Sequence, residues 1–504
     1  MVTQKNTSLS NPILWTAFLL YVIVLSYTMA HHEFWADELH SWNIAKASTS
    51  FSDLIANIQY EGHPPVWYII LWFISKFTHN ITCIQLPQSI IICLVVFIVL
   101  FFSPFAVSTR ILISFGYFFL FEYGVLSRNY APGILLAFCI CIVLQKKFRH
   151  KLIIYYLLLF LMSNTHLLAA ILAGCLHLYF VCLNSKQHQK TSAVILHIFI
   201  GAIIFLPALY FIFPPSDSGL NIHFWIDKAK LIDQLRIIYA APLRAFIPMP
   251  AWWNYNFWNT EFLLQAQSNH AILKVINPLV LILILWLVFV VLKTNKKSLM
   301  LFITNLVLTF IVSFIFPLTD TRYAGFIFIS FIAAYWLYYY EVAVSRTKKW
   351  LVNLLLIIQL TAGIFAIAKD IQLPFSNSYK VNELVKEVPA DKKIVCDYWA
   401  LNTLEAYTDK PFYCLEMQKE MSFIVWNKEF TERTTSNAPF YNGITNLFQK
   451  EHISEAYMIS VKSLQTIMQQ DPQLIKSFTV KLIDKKEGAI EKGSNLYLYQ
   501  ITSL

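Results

Sequence analysis

The sequence predicts a polytopic α-helical membrane protein of about eleven transmembrane helices, followed by a small extracytoplasmic α/β domain. Three observations predict it. The 504 residues are 57% hydrophobic and 13% charged, with a mean hydropathy of +0.55, too apolar for a soluble globular chain. The apolar residues gather in runs of span length. The remaining charges divide by region: residues 370–504 hold 15 Lys and Arg against 17 Asp and Glu, so the whole formal charge of +10 belongs to the part before them. A basic balance of this origin is a topology signal and not a nucleic-acid footprint.

A span takes about 20 apolar residues, and stretches at 13–31, 86–104, 106–124, 129–145, 151–164, 166–183, 192–213, 272–292, 298–317, 322–342 and 350–368 qualify or come close. They form a membrane domain over residues 1–369, with the extracytoplasmic domain over 370–504. The first stretch ends near Ala30 in the manner of a signal peptide. Its apolar core exceeds the usual signal length of about 7 to 15 residues, so a retained anchor is expected. Basic clusters at Lys146, Lys147, Arg149 and Lys151, at Lys186 and Lys190, at Lys293, Lys296 and Lys297, and at Arg346, Lys348 and Lys349 mark every second turn as cytoplasmic.

That assignment puts a first loop, 32–85, and a large loop, 214–271, on the outer face. It leaves no room for the segment Pro64 to Phe77 to cross. Short and opened by two prolines, this segment reads as an interfacial or re-entrant helix. After Lys369, runs at 393–398, 456–460 and 495–499 read as strands, and 401–407 and 461–470 as helices. Cys396 and Cys414 share this domain and could pair in an oxidising compartment.

Twelve Asp and Glu occur in residues 1–369, and Glu33, Asp37, Glu38, Asp53 and Glu61 follow closely on the first span. Asp37 and Glu38 fall at the water–lipid boundary, where partial desolvation raises a carboxylate's proton affinity toward that of a working base. An ordinary solvated loop acid is the alternative. Glu61 and His63 could hold a metal, orient a hydroxyl, contact a phosphate or cap the helix that starts at Pro64. Arg128 and Arg322, closely followed by Tyr130 and Tyr323, could snorkel to headgroups or clamp a phosphate. His166, beside Asn164 and Thr165, has the same two readings. The aromatic run from Arg244 to Trp258 suits an interfacial surface or a stacking platform for sugar or isoprenoid.

In order and membrane side these segments resemble the GT-C superfamily of polyprenyl-phosphate-sugar-dependent glycosyltransferases, which includes protein O-mannosyltransferases and the lipid A aminoarabinose transferase. The resemblance rests on Asp37 with Glu38, on His63 to Tyr68, on Leu86 to Ser89 opening a span, on Ser127 to Tyr130, on Asn164 to His166, and on Arg322 with Tyr323. It covers residues 10 to about 345. It implies the GT-C fold and inverting transfer of a sugar from a polyprenyl-phosphate donor to a glycan, lipid or protein acceptor on the outer face. Asp37 would be the general base and Glu38 its support. Glu61, His63, Arg128, Tyr130, His166, Arg322 and Tyr323 would bind substrate or phosphate, with Glu61 and His63 also open to a divalent metal. Some relatives carry lysine where His63 stands.

The expected setting is a bacterial inner membrane with the site facing the periplasm or exterior, among membrane lipids and without nucleic acid. A transporter or a non-catalytic envelope-assembly protein is the alternative. Transporters tend to place ionisable groups near the midplane and to show repeated halves, whereas these acids cluster at one edge and no repeat is visible.

Overall fold

A computed structural model describes residues 8–146, 149–185, 191–219, 228–267, 270, 272–316 and 318–504. Lys147, Lys186 and Lys190 of the basic clusters, and part of the large loop 214–271, lie outside the described residues. Among the described residues seven helices are long and apolar enough to cross a membrane: Pro12–His31, Ile81–Phe102, Thr191–Ile212, Leu273–Leu292, Lys296–Ile315, Thr321–Glu341 and Arg346–Gln372. The protein is therefore a helical membrane protein, and among the described residues seven of the eleven expected stretches are span-length helices.

Three of the other four stretches fall short for identifiable reasons. The 106–124 stretch is not one helix: Val107–Ser114 stops at Phe115, and a π turn at Phe118–Glu122 follows. The break packs closely on Arg346–Gln372, where a Cβ on Gly363 would come within 3.1 Å of the Phe115 carbonyl and the Tyr117 amide. Tyr130–Gln145 and Lys151–Ser163 have 16 and 13 residues, while the next helix, Leu167–Ser185, has 19. At about 1.5 Å per residue the first two reach less than the roughly 30 Å of a hydrocarbon core.

By contact the chain divides into two compact units. One comprises Met1–Ala30, Gln85–Ile212 and Ile222–Lys369; the other comprises His31–Ile84, Phe213–Asn221 and Asp370–Leu504. In that division the loop His31–Ile84 groups with Asp370–Leu504 and not with the spans.

The helical unit is organised on Thr321–Glu341, which is buried at every position from Ala324 to Tyr338. A helix apolar on all sides must be covered on all sides, and Tyr130–Gln145, Leu167–Ser185, Lys228–Phe246 and Lys296–Ile315 pack against it.

The second unit is an α/β domain around a six-stranded sheet of order β3-β2-β1-β4-β6-β5. Its strands are β1 (Ile394–Cys396), β2 (Phe412–Cys414), β3 (Lys419–Met421), β4 (Glu455–Ser460), β5 (Phe478–Lys486) and β6 (Leu496–Ser503). β1 runs parallel to β2 and β4, and the remaining pairs are antiparallel. Cys396 and Cys414 are register partners on β1 and β2, and both are buried free thiols. Val66–Ser75, inside the expected surface segment, is a ten-residue helix that buries Trp67, Tyr68 and Leu71 and packs on Ala36–Ala47. At about 15 Å it is half the length a crossing needs.

Candidate functional site

The expected site residues fall in two clusters, one in each unit. In the second unit the chain leaves the first span, passes His31 and His32, and turns at Trp35, whose extended backbone starts the Ala36–Ala47 helix. Asp37 and Glu38 in the first turn suit the positive end of the helix dipole. The Glu38 carboxylate also accepts from the Trp35 amide at 3.2 Å, half of a capping box.

Glu38 is fully buried, and its Oε2 lies 3.4 Å from His32 Nε2. His32 Nδ1 lies 3.1 Å from both oxygens of Asp370, the residue that opens the tail. With a carboxylate on each ring nitrogen both nitrogens must donate, so the ring is an imidazolium. Burial alone would lower the pKa of His32, but the charge and hydrogen bond of Asp370, joined by those of Glu38, raise it to about 10.

One turn along the helix the pattern repeats. His40 Nε2 is 3.0 and 3.1 Å from the two oxygens of Glu61, and Nδ1 is 3.2 Å from Asn402 Oδ1 on the Tyr398–Thr408 helix. Burial opposes protonation of His40, yet Glu61, Asn402 and the charge of Asp37 together raise its pKa. Glu61 also accepts from the Tyr68 hydroxyl at 3.3 Å. Asp37 sits half-buried in the same first turn, less enclosed than Glu38.

His63 is half-buried beyond Gly62, whose φ of +65° is the left-handed conformation that glycine takes without strain. The helix beginning after Pro65 has that proline at its N-cap, so the N-cap residue itself supplies no side-chain acceptor. Among the described residues no group of three or more His, Cys, Asp or Glu side chains is arranged to hold a metal ion.

In the helical unit, Tyr130, His166, Tyr323 and Arg322 come together. The Tyr130 ring lies 4.9 Å from His166 and 6.4 Å from Tyr323 between centroids, and Phe326 packs edge-on to His166 at 4.4 Å. The Arg322 guanidinium sits over the Tyr323 ring at 5.0 Å and the Trp258 ring at 6.0 Å, and its Nη2 is 2.8 Å from Asp320. Arg128 is 9% exposed, two residues before Tyr130. Trp258 Nε1 donates to Glu122 Oε2 at 3.2 Å, and the Tyr117 hydroxyl donates to the same oxygen at 2.8 Å.

Sequence reasoning missed His32, His40, Asp370, Asn402 and Glu122. A signal existed for three of them: His32 and His40 flank the acidic pair, and Asp370 ends the last apolar stretch. No local signal marks Asn402. Compared with known proteins, the chain matches no family model, and no curated protein matches it.

Proposed function

We propose that the protein is an integral-membrane glycosyltransferase of the GT-C type, moving a sugar from a polyprenyl-phosphate donor to an acceptor on the outer face of the membrane. The observation that carries the reading is Asp37: a half-buried carboxylate in the first turn of a helix just beyond the first span, whose charge acts on the buried His40. In the proposed reaction Asp37 takes the proton of an acceptor hydroxyl as its oxygen attacks the anomeric carbon. The bond from that carbon to the phosphate oxygen breaks with its electron pair going to the phosphate, and the configuration inverts.

Glu38, buried against His32, acts by holding the helix turn and not as a second base. Glu61 is tied to His40 and Tyr68 and shapes the same surface. Arg128 and Arg322 are proposed to meet the departing phosphate, a role for which the guanidinium fork is suited, and Tyr130, His166 and Tyr323 to line the substrate.

Mass spectrometry of envelope glycans and lipid-linked sugars from cells with and without the protein would identify the product. With that product as the assay, Asp37→Asn is expected to lower transfer by about 10²- to 10⁴-fold, the range for a lost general base, at unchanged thermal stability. Undiminished transfer by the purified variant would sink the assignment.

A further inference from the structure

A cavity of about 420 Å³ lies within the helical unit, lined by Arg236, Tyr239, Arg244, Gln267, Lys274 and Thr319 together with three apolar side chains. It takes residues from the Lys228–Phe246 helix, from Phe262–Gln267 and from the first turn of Leu273–Leu292. Among the described residues, two buried polar atoms on its walls have no hydrogen-bond partner: Arg244 Nε and the Tyr239 hydroxyl. A buried donor left unmet costs about 1 to 3 kcal/mol, so two on one cavity point to an acceptor that fills it.

The charge of the cavity narrows the acceptor. Three of its lining residues are cationic. The acids that act on Arg244 are Asp320 and Glu261. Asp320 is 2.8 Å from Arg322. Glu261 accepts from the amides of Leu263 and Leu264, and its burial pushes its pKa up to about 7. The acids near Arg244 are thus engaged elsewhere, and a phosphate, with several acceptor oxygens and negative charge, matches the cationic Arg244 and Lys274 and the orphaned donors.

Position narrows the source. Lys274 stands in the first turn of a span-length helix, so the cavity lies at the end of an apolar segment, where headgroups gather. Ile237, Ala240 and Leu264 supply an apolar wall for whatever carries the phosphate. We propose that this cavity binds the phosphate head of an anionic membrane lipid. The inference does not depend on the glycosyltransferase reading, since it concerns binding and needs no turnover.

The test is thermal unfolding of the purified full-length protein in detergent, titrated separately with phosphatidylglycerol, undecaprenyl phosphate, phosphatidylcholine and inorganic phosphate. A ligand that binds the folded state raises the midpoint in proportion to its affinity. At least one anionic lipid is expected to raise it more than phosphatidylcholine does, and which of the two acts more strongly assigns the tail. Arg244→Gln is expected to weaken that lipid by about tenfold or more, as for a lost hydrogen bond to a charged group. Tyr239→Phe and Lys274→Gln, milder changes that serve if Arg244→Gln does not fold, are expected to weaken it by smaller factors. Equal shifts from phosphatidylglycerol, undecaprenyl phosphate and phosphatidylcholine, or affinities unmoved in all three variants, would overturn the proposal. A full shift from inorganic phosphate with no gain from either lipid would overturn the lipid assignment.

Discussion

His32 carries two buried carboxylates. Glu38 and Asp370 are both fully enclosed, and a charge without a partner in that position is far costlier than a charge in water. Replacing His32 by Gln, which removes the imidazolium and keeps some hydrogen bonding, is expected to destabilise the second unit by about 3 to 5 kcal/mol, the cost of breaking a buried pair. The same residue gives a pH signature. Its pKa is raised from about 6.5 in the unfolded chain to about 10 in the folded one. Its stabilisation is thus complete below the unfolded value and is lost as pH rises through the folded value. Thermal midpoints of the intact protein are expected to fall between those limits, and the fall is expected to be shallower in His32→Gln. A parallel decline in both proteins would show that His32 is not its source.

The Ala36–Ala47 helix is too short and too polar to hold itself in place, since isolated helices of this length are marginal in water. It is held by Tyr398–Thr408. Asn43 Nδ2 donates to the Asn402 carbonyl at 2.9 Å, His40 is 3.2 Å from the Asn402 side chain, and Lys46 Nζ lies 3.1 Å from Glu405 and 2.8 Å from Asp409. Asn402→Ala removes the partner of His40 Nδ1 and leaves that ring nitrogen buried without it. The expected loss is about 1.5 to 3 kcal/mol, with faster hydrogen exchange across residues 36–47, and Asn402→Asp, which keeps an acceptor, is expected to recover most of it. Exchange in this helix that does not respond to Asn402 would show that the hydrogen bond is not what orders it.

At the scale of the whole molecule, the tail is the partner of the loop His31–Ile84 within one compact unit. The Phe375 amide donates to Glu33 at 2.7 Å, and Asp370, Asn402 and Glu405 all reach loop residues. A chain ending at Lys369 is expected to insert its spans and yet lose the order of residues 32–85, because the loop would then expose its buried face. Limited proteolysis checks this: cleavage within 32–85 is expected in the truncated chain and not in the full one. Resistance in both would mean that the loop orders itself without the tail.

The sequence by itself determined the membrane class and the α/β character of the tail, because hydropathy and strand periodicity are local properties of the chain. It also singled out Asp37, Glu61, Tyr130, His166 and Arg322 as unusual charges or polar rings in an apolar context. Span number was less legible: at 106–124 the composition is that of a span, and only packing against Gly363 accompanies the break into Val107–Ser114 and a π turn. Which acids are enclosed could not be read from the sequence at all. Asp37 and Glu38 are neighbours of nearly equal chemistry, and one is half-buried while the other is sealed against His32. That difference depends on His32 and on Asp370, distant in sequence, which holds the other side of the same ring. Burial and the pairing of charge are set by contacts between segments far apart in the chain, and only the tertiary structure brings those together.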